Sequence, residues 1–474
     1  MLRLHGGHGS VFSVIGSESA MVSTLGVARA CLTAPILAAL FACPASYAAP
    51  RSGAIETIYS FTGGADGATP AVGLASGPGD ALYGANSSTV FELQLSGKNN
   101  WTVTPIYATP DGAPASIASD GASLYLAMGL QYGQPCPQDD YHCGEIVQLT
   151  PGQSGWTQTV IYQFAGGRDG VNPTGLVIAK DGTIYGTTQA GGNSANCGES
   201  NNIPDGCGTV FALKQNKARV WSEKILLRYN TRNGSQPMAD PSLDSAGNVY
   251  VTTYLGGGSK SLSLRPPGSC DGFDGEGSVS EWGAVGFDEI YRQACDDIQA
   301  SFLTAILFSP GLSANDADST NTALISGEGG GNPDDCTDLG NLGCGVIALL
   351  TSKKKGAWTY TSLHDFTGAP SDGSWPEGYM LAVGKDTIYG LTRLGGTGTQ
   401  GACDPDGCGT IYELTHGASG WSWSGTAYNF QGGSTGFWPV PRLTNYKGNI
   451  VGMTGDGGSN CGAYGCGTIY LFKK

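Results

Sequence analysis

Residues 181–213 read DGTIYGTTQAGGNSANCGESNNIPDGCGTVFAL. Asp181-Gly182 is a tight-turn dipeptide, and the β-branched and aromatic run Thr183-Ile-Tyr185 follows it. With Gly175-Leu-Val-Ile-Ala179 just before, this is the signature of a β-hairpin. Next come a glycine pair, a loop bounded by Cys197 and Cys207, and a second strand-like run, Thr209-Val-Phe-Ala-Leu213. The same order returns near the C-terminus, where residues 459–472 read SNCGAYGCGTIYLF.

Working outward, the TIYGTT-like line occurs seven times: Leu82-Tyr-Gly-Ala, Leu124-Tyr-Leu-Ala, Ile184-Tyr-Gly-Thr, Val249-Tyr-Val-Thr, Leu324-Ile-Ser-Gly, Ile388-Tyr-Gly-Leu and Ile450-Val-Gly-Met. GTVFAL-like lines follow them, as at Thr89, Glu145, Val346, Thr410 and Thr468. A third line ends in an aromatic, as in Thr57-Ile-Tyr-Ser-Phe61 and Val160-Ile-Tyr-Gln-Phe164, and is often opened by Trp101, Trp156, Trp221, Trp358 or Trp421. Each repeat thus supplies four strands, A to D from inside to outside. A four-stranded unit repeated at a fixed period describes a β-propeller. We expect an all-β chain with seven blades; six blades with residues 255–344 as one large insertion is the alternative.

The ends agree with a ring. Ile55–Phe61 is a D strand with no A, B or C before it, and the last repeat, Pro439–Phe472, lacks a D strand. The N-terminal strand is expected to complete the last blade and so remove a free edge. Strand aromatics at matched positions read as core and inter-blade packing. Blade 4 departs from the pattern between Leu255 and Phe302. Gly277–Trp282 reads as its C strand, whereas Ile290, Ala294, Ile298 and Phe302 fall on one helical stripe, which predicts an irregular or helical insertion over 255–302.

The spacing DGxIYGTTxxGG…GTVFxL resembles the GloVer tandem repeat of exported bacterial proteins, over nearly all of residues 54–474 and most closely in blades 3, 6 and 7. The resemblance implies a propeller and export; it carries no established chemistry. The chain departs from it in blade 4 and in ending on Phe472-Lys-Lys474 with no sorting tail.

Export is also read from the first 49 residues. Arg29, the apolar run Ala30–Ala42 and the small residues up to Ala49 form a secretory signal, with cleavage expected after Ala48 or Ala49. Residues 1–20 read as a misassigned start ahead of Met21, and Leu40-Phe-Ala-Cys43 is the weaker lipoprotein alternative. The apolar run is too short to span a bilayer. The mature chain, 50–474, is expected to be one secreted or periplasmic, monomeric domain.

The net charge of −15, from 24 basic and 39 acidic side chains, disfavours nucleic acid and anionic membranes as partners. Twelve cysteines follow the signal, in neighbouring pairs. An even count in an exported chain predicts the disulfides Cys136–Cys143, Cys197–Cys207, Cys270–Cys295, Cys336–Cys344, Cys403–Cys408 and Cys461–Cys466. No metal site of histidines and cysteines is expected, since only His142, His364 and His416 follow the signal. The acidic stretches 271–276, 315–318 and 334–338 keep Ca²⁺ as a candidate; otherwise no cofactor is expected.

The B–C loops, which hold the cysteines, and the D–A loops, which hold Asp-Gly turns at Asp66, Asp111, Asp169 and Asp372, share one face of a propeller. Bridges there either stabilise an exported fold or stiffen a binding surface. Turn aspartates ordinarily cap their own turns. Trp375 and Trp438 break a slot that elsewhere holds Thr69, Asn172 or Gln236. With Phe437 and Glu377 beside them, they read as a sugar-stacking platform, because an apolar sugar face packs on an indole while acids bind hydroxyls. Asp372 and Asp169 with Arg168 complete the candidate ligand-binding set; for a glycosidase, Asp169, Asp372, Glu377 and Glu145 are the carboxylates that could lie around one mouth. No Ser-His-Asp set is readable, so catalytic residues are unassigned. We therefore expect a recognition module for a glycan or a cell-envelope partner. A carbohydrate-active hydrolase or lyase working through two carboxylates, and a structural envelope protein, are the alternatives.

Overall fold

The computed structural model describes residues 53–474 except 98, 110–111, 130, 137–138, 193–196, 198–205, 257–276, 284–285, 293–300, 308–321, 333–335, 337–342, 355–356, 400–402 and 404–405. The signal lies outside the described residues, as do the acidic stretches 271–276 and 315–318 and all of 334–338 but Cys336.

Seven antiparallel sheets, six of four strands and the last of five, form the blades of a propeller, spanning residues 70–108, 116–163, 171–228, 242–292, 301–365, 373–429, and 437–473 with 54–60. The six-blade alternative is thereby set aside. The strand Ala54–Ser60 pairs with Thr468–Lys473, from Ala54↔Lys473 to Ser60↔Thr468, and closes the ring. Phe61, fully buried, packs with Ile469 and Leu471 of the last repeat and Phe91 of the first blade. The closing strand therefore anchors both sides of the seam.

Blade 4 corrects the helical reading at both ends of 287–302, whose middle, 293–300, lies outside the described residues. Gly286–Arg292 is its D strand, paired with Ser278–Gly283 from Ser278↔Arg292 to Gly283↔Gly286, and Ser301–Leu307 is already strand A of blade 5. The apparent i, i+4 stripe straddles two strands of different blades. Ile290 and Tyr291 are both buried, against Leu303 and Val346, as in a D strand covered by the neighbouring blade. An addition unforeseen from sequence is a hairpin in the B–C loop of blade 2, Gln131–Cys136 with Asp139–His142.

Repeated residues become repeated contacts. Inner-strand tyrosines pack on tryptophans of the next blade, Tyr83 on Trp156 at 5.4 Å and Tyr125 on Trp221 at 6.1 Å between ring centres. Such pairs contribute about 0.5–1.5 kcal/mol beyond area burial. Threonine hydroxyls pair across strands B and C at 2.8 Å in Thr188–Thr209, Thr392–Thr410 and Thr454–Thr468. Here each hydroxyl is buried and partnered, which explains Thr where a larger apolar residue would otherwise fit.

The cysteine loops have a place in the same scheme. The bridges Cys197–Cys207, Cys336–Cys344, Cys403–Cys408 and Cys461–Cys466 each lie within one B–C loop, as expected. Cys143 is also bridged. The expected pairing of Cys270 with Cys295 falls on two residues outside the described ones, and the side chain of Cys136 lies outside them too. In two bridges the ends differ in setting. The second cysteines, Cys207, Cys344, Cys408 and Cys466, are all fully buried, whereas Cys336 is half-buried and Cys461 exposed. The first cysteines Cys197 and Cys403 are buried as well, so the setting of the first cysteine varies while the second, always buried, leads directly into strand C.

The carbonyl of that second cysteine accepts a hydrogen bond from the residue that opens the next blade: Cys466 from Thr69, Cys143 from Asn172, Cys207 from Gln236, Cys344 from Trp375 and Cys408 from Trp438, at 2.8–3.2 Å. The next glycine carbonyl accepts from the aromatic that ends strand D, as Gly409 does from Phe430 at 3.0 Å. Five seams are fastened in this way, all through backbone atoms.

Candidate functional site

Residues at the inner edges of all seven blades line a cavity of about 690 Å³ on the propeller axis, within the range of small-molecule sites. Two repeat positions supply much of its polar wall. One is the residue before the blade-opening proline, which includes Gln236 and Trp375. Its φ is positive in every copy that has the seam, from 52° at Thr69 to 59° at Asn172. A non-glycine residue held there is strained, and the seam hydrogen bond is what fixes it. The other is the residue two before the glycine pair after strand B: Gln189, Tyr254, Glu328 and Arg393 all line the cavity.

These groups form two ionic levels. Toward the loop-bearing face, Arg393 Nη1 lies 3.3 Å from Glu377 Oε1, and the Tyr254 hydroxyl donates to Glu328 Oε2 at 3.1 Å. Burial, reinforced by the negative charge of Glu377, pushes the Glu328 carboxyl up to about 7. Burial also raises the Glu377 carboxyl, while Arg393 pulls it back. Asp456 is raised by burial too, and the same guanidinium opposes the shift. Farther along the inner strands, Arg442 of blade 7 reaches across the axis. It lies 3.9 Å from Asp240 Oδ2 of blade 4 and donates to the carbonyl of Ile117 in blade 2 at 3.3 Å. Its guanidinium also lies 5.2 Å from the Tyr379 ring centre. Asp240 Oδ1 accepts from the Leu176 amide at 2.9 Å. This crossing pair narrows the channel. Gly378 lets the chains approach here: its φ is +71°, and a Cβ would overlap the Pro441 carbonyl.

Of the residues singled out from sequence, Trp375 and Glu377 are on the cavity wall. Trp438 is half-buried among core residues, with the Arg393 guanidinium 5.6 Å from its ring centre. Phe437 is 2% exposed and belongs to the core. Asp169 accepts from the Tyr162 hydroxyl and the Ala165 amide, both at 2.7 Å. Asp372 bonds His364 Nε2 at 2.7 Å and the Gly373 amide at 2.8 Å. Both cap D–A turns away from the cavity, as does Asp66. Arg168 is exposed beside that turn, and its carbonyl accepts from Arg228 Nε. Neither it nor Glu145 is on the wall. The bridged cysteines are not on it either: Cys336, Cys461 and their partners brace the loops around the mouth and leave the cavity surface to other side chains. Sequence reasoning missed Glu328, Arg393 and Tyr254. The signal was present: they vary at one position of an otherwise repeated line. Among the described residues no group of three or more His, Cys, Asp or Glu is placed to hold a metal ion.

No protein-family model and no curated protein sequence matches the chain. Solved structures to which it is similar include a periplasmic gluconolactonase of Pseudomonas aeruginosa, at 12% identity and TM-score 0.46, covering 85% of this chain and 98% of that one. A luciferin-regenerating enzyme aligns at 10% identity and TM-score 0.38, covering 74% and 88%. A protein of unknown function from Dyadobacter fermentans aligns at 12% identity and TM-score 0.40, covering 88% and 97%.

Proposed function

We propose that this chain is an extracytoplasmic, monomeric propeller of the GloVer tandem-repeat type that recognises a saccharide at the mouth of its central channel. The observation carrying the reading is the company kept by Trp375: its indole shares one cavity wall with Gln189, Gln236, Glu328, Glu377 and Arg393. An aromatic face that packs on sugar C–H groups, ringed by donors and acceptors for hydroxyls, is chemistry suited to a polyhydroxylated ligand. The four described bridges support an oxidising compartment. They also support a binding face whose loops need little ordering when ligand arrives.

A glycan array followed by calorimetry tests the proposal. Trp375→Ala is expected to weaken the binding of any captured glycan by about 1–3 kcal/mol, the range for a lost aromatic anchor. Capture of no glycan, or full affinity in Trp375→Ala, refutes it and leaves an envelope scaffold as the better description.

A further inference from the structure

We infer that the channel mouth also hydrolyses the glycosidic bond of the saccharide it holds, with Glu328 as general acid and Glu377 as general base. The inference rests on the saccharide reading above and adds a reaction to it.

Two carboxyl groups reach one cavity from neighbouring blades, Glu328 from strand B of blade 5 (Thr322–Gly329) and Glu377 from strand A of blade 6 (Gly373–Ala382). Their partners differ in kind. Glu377, raised by burial, faces the guanidinium of Arg393, which opposes that shift and favours its anion. Glu328 faces the phenol of Tyr254, a neutral donor that occupies Oε2 and leaves the other oxygen for a proton. Burial and the neighbouring anion keep that proton on Glu328 close to neutral pH. Tyr254 is itself held well above the ordinary tyrosine range by burial and by Glu328, so it remains a donor. One carboxyl paired with a neutral donor and one paired with a cation in the same site is an arrangement that suits the acid and base roles of glycoside hydrolysis. No cofactor enters.

The step balances with water alone. The Glu328 proton passes to the glycosidic oxygen as the C1–O bond breaks, and the bond's electron pair leaves with that oxygen. Water forms the new bond to C1 and gives its proton to Glu377. Exchange with solvent returns one proton to Glu328 and removes one from Glu377. Trp375, on the same wall, holds the sugar ring while this happens. In the hydrolytic step Arg393 is a positioning residue: it acts on the reaction through the charge state of Glu377.

The test uses the mature chain with reducing-end-labelled oligosaccharides of glucan, mannan, xylan, chitin and pectin, measuring both affinity and label release. Expected are release by the wild type and a fall of about 10²–10⁴-fold in Glu328→Gln and Glu377→Gln, with affinity changed less than tenfold. The wild-type rate should be bell-shaped in pH. Its basic limb lies near 7, where Glu328 loses its proton. In Arg393→Met the acidic limb should move to higher pH, because Glu377 then protonates more readily. This shift and the wild-type profile do not depend on how well the Gln variants fold. Oligosaccharide that binds but is never cleaved, or cleavage that survives Glu328→Gln, overturns the hydrolytic inference alone. Binding of no oligosaccharide refutes the recognition reading beneath it.

Discussion

Replacing Gly409 by Ala should destabilise the protein more than removing the disulfide next to it. Gly409 follows Cys408 at the seam between blades 6 and 7, with φ +96°. A Cβ there would sit 2.6 Å from Pro439 Cδ, 2.7 Å from the Thr392 carbonyl oxygen and 2.8 Å from that of Arg393. The backbone conformation alone costs an L-residue about 1–2 kcal/mol, and forcing a methyl into a packed seam adds about 1–3 kcal/mol. Two of the three obstacles are backbone atoms of a central strand, so relief by a side-chain turn is closed off. The total is about 2–5 kcal/mol. Converting Cys403 and Cys408 to Ser opens a loop with a sequence separation of 5, worth about 2 kcal/mol by loop entropy. It leaves untouched the bond from the Trp438 amide to the Cys408 carbonyl, which is backbone to backbone. Urea unfolding of both variants, each without added reductant, measures the two losses. A Gly409→Ala variant within about 0.5 kcal/mol of wild type would refute the view that this glycine sets the seam.

Trp438→Ala should lower stability by about 2–3 kcal/mol, somewhat under the range for a fully buried tryptophan, with little change in glycan affinity; the order is the reverse of that for Trp375→Ala, and calorimetry with thermal melting on both separates them. Deleting residues 54–61 should expose Thr468–Lys473 as a free edge and produce aggregation visible in size-exclusion chromatography; a monomer with unchanged Tm would count against closure by this strand. The Glu328 carboxyl is raised from 4.5 to about 7, so the fold favours its neutral form. Its contribution to stability is therefore lost as pH rises from the unfolded value through the folded one, and Glu328→Gln should become more stable than wild type by up to about 3 kcal/mol at pH 8 while matching it near pH 4; equal stability at both pH values would contradict this. Non-reducing peptide mapping should return the bridges Cys136–Cys143 and Cys270–Cys295 beside the four described; links between blades would overturn the local pairing rule.

The ring is legible in the sequence because its repeated residues form repeated contacts. A tyrosine in strand B, a glycine after the second cysteine and a proline at the next blade each meet the same partner in several blades. Blade 4 misleads for a physical reason: Ile290 to Phe302 has helical spacing only if the chain is assumed continuous through a segment that ends one blade and begins another. The platform is half legible. Trp375 and Trp438 occupy equivalent slots, but the seam presents one to the cavity and the other to core residues and Arg393. A slot identity in one dimension does not specify which neighbours surround it. Glu328 is hidden because Leu324-Ile-Ser-Gly-Glu328 diverges from the tyrosine-bearing line. Its equivalence to Arg393 shows only when each is counted back from its glycine pair, Gly330-Gly331 and Gly395-Gly396.

The backbone character of the seam has an evolutionary consequence. The ring is fastened by amides and carbonyls, whereas much of the cavity's polar wall is supplied by side chains at two repeat positions. Drift at those positions leaves the fastening in place, so a lineage can change what its channel accepts while inheriting the same architecture. Gln189, Tyr254, Glu328 and Arg393, four unlike residues on one repeated frame within a single chain, are already such a diversified set. A library randomised at these sites and at Gln236 and Trp375 should therefore yield folded members at high frequency, with ligand preference as the trait that varies.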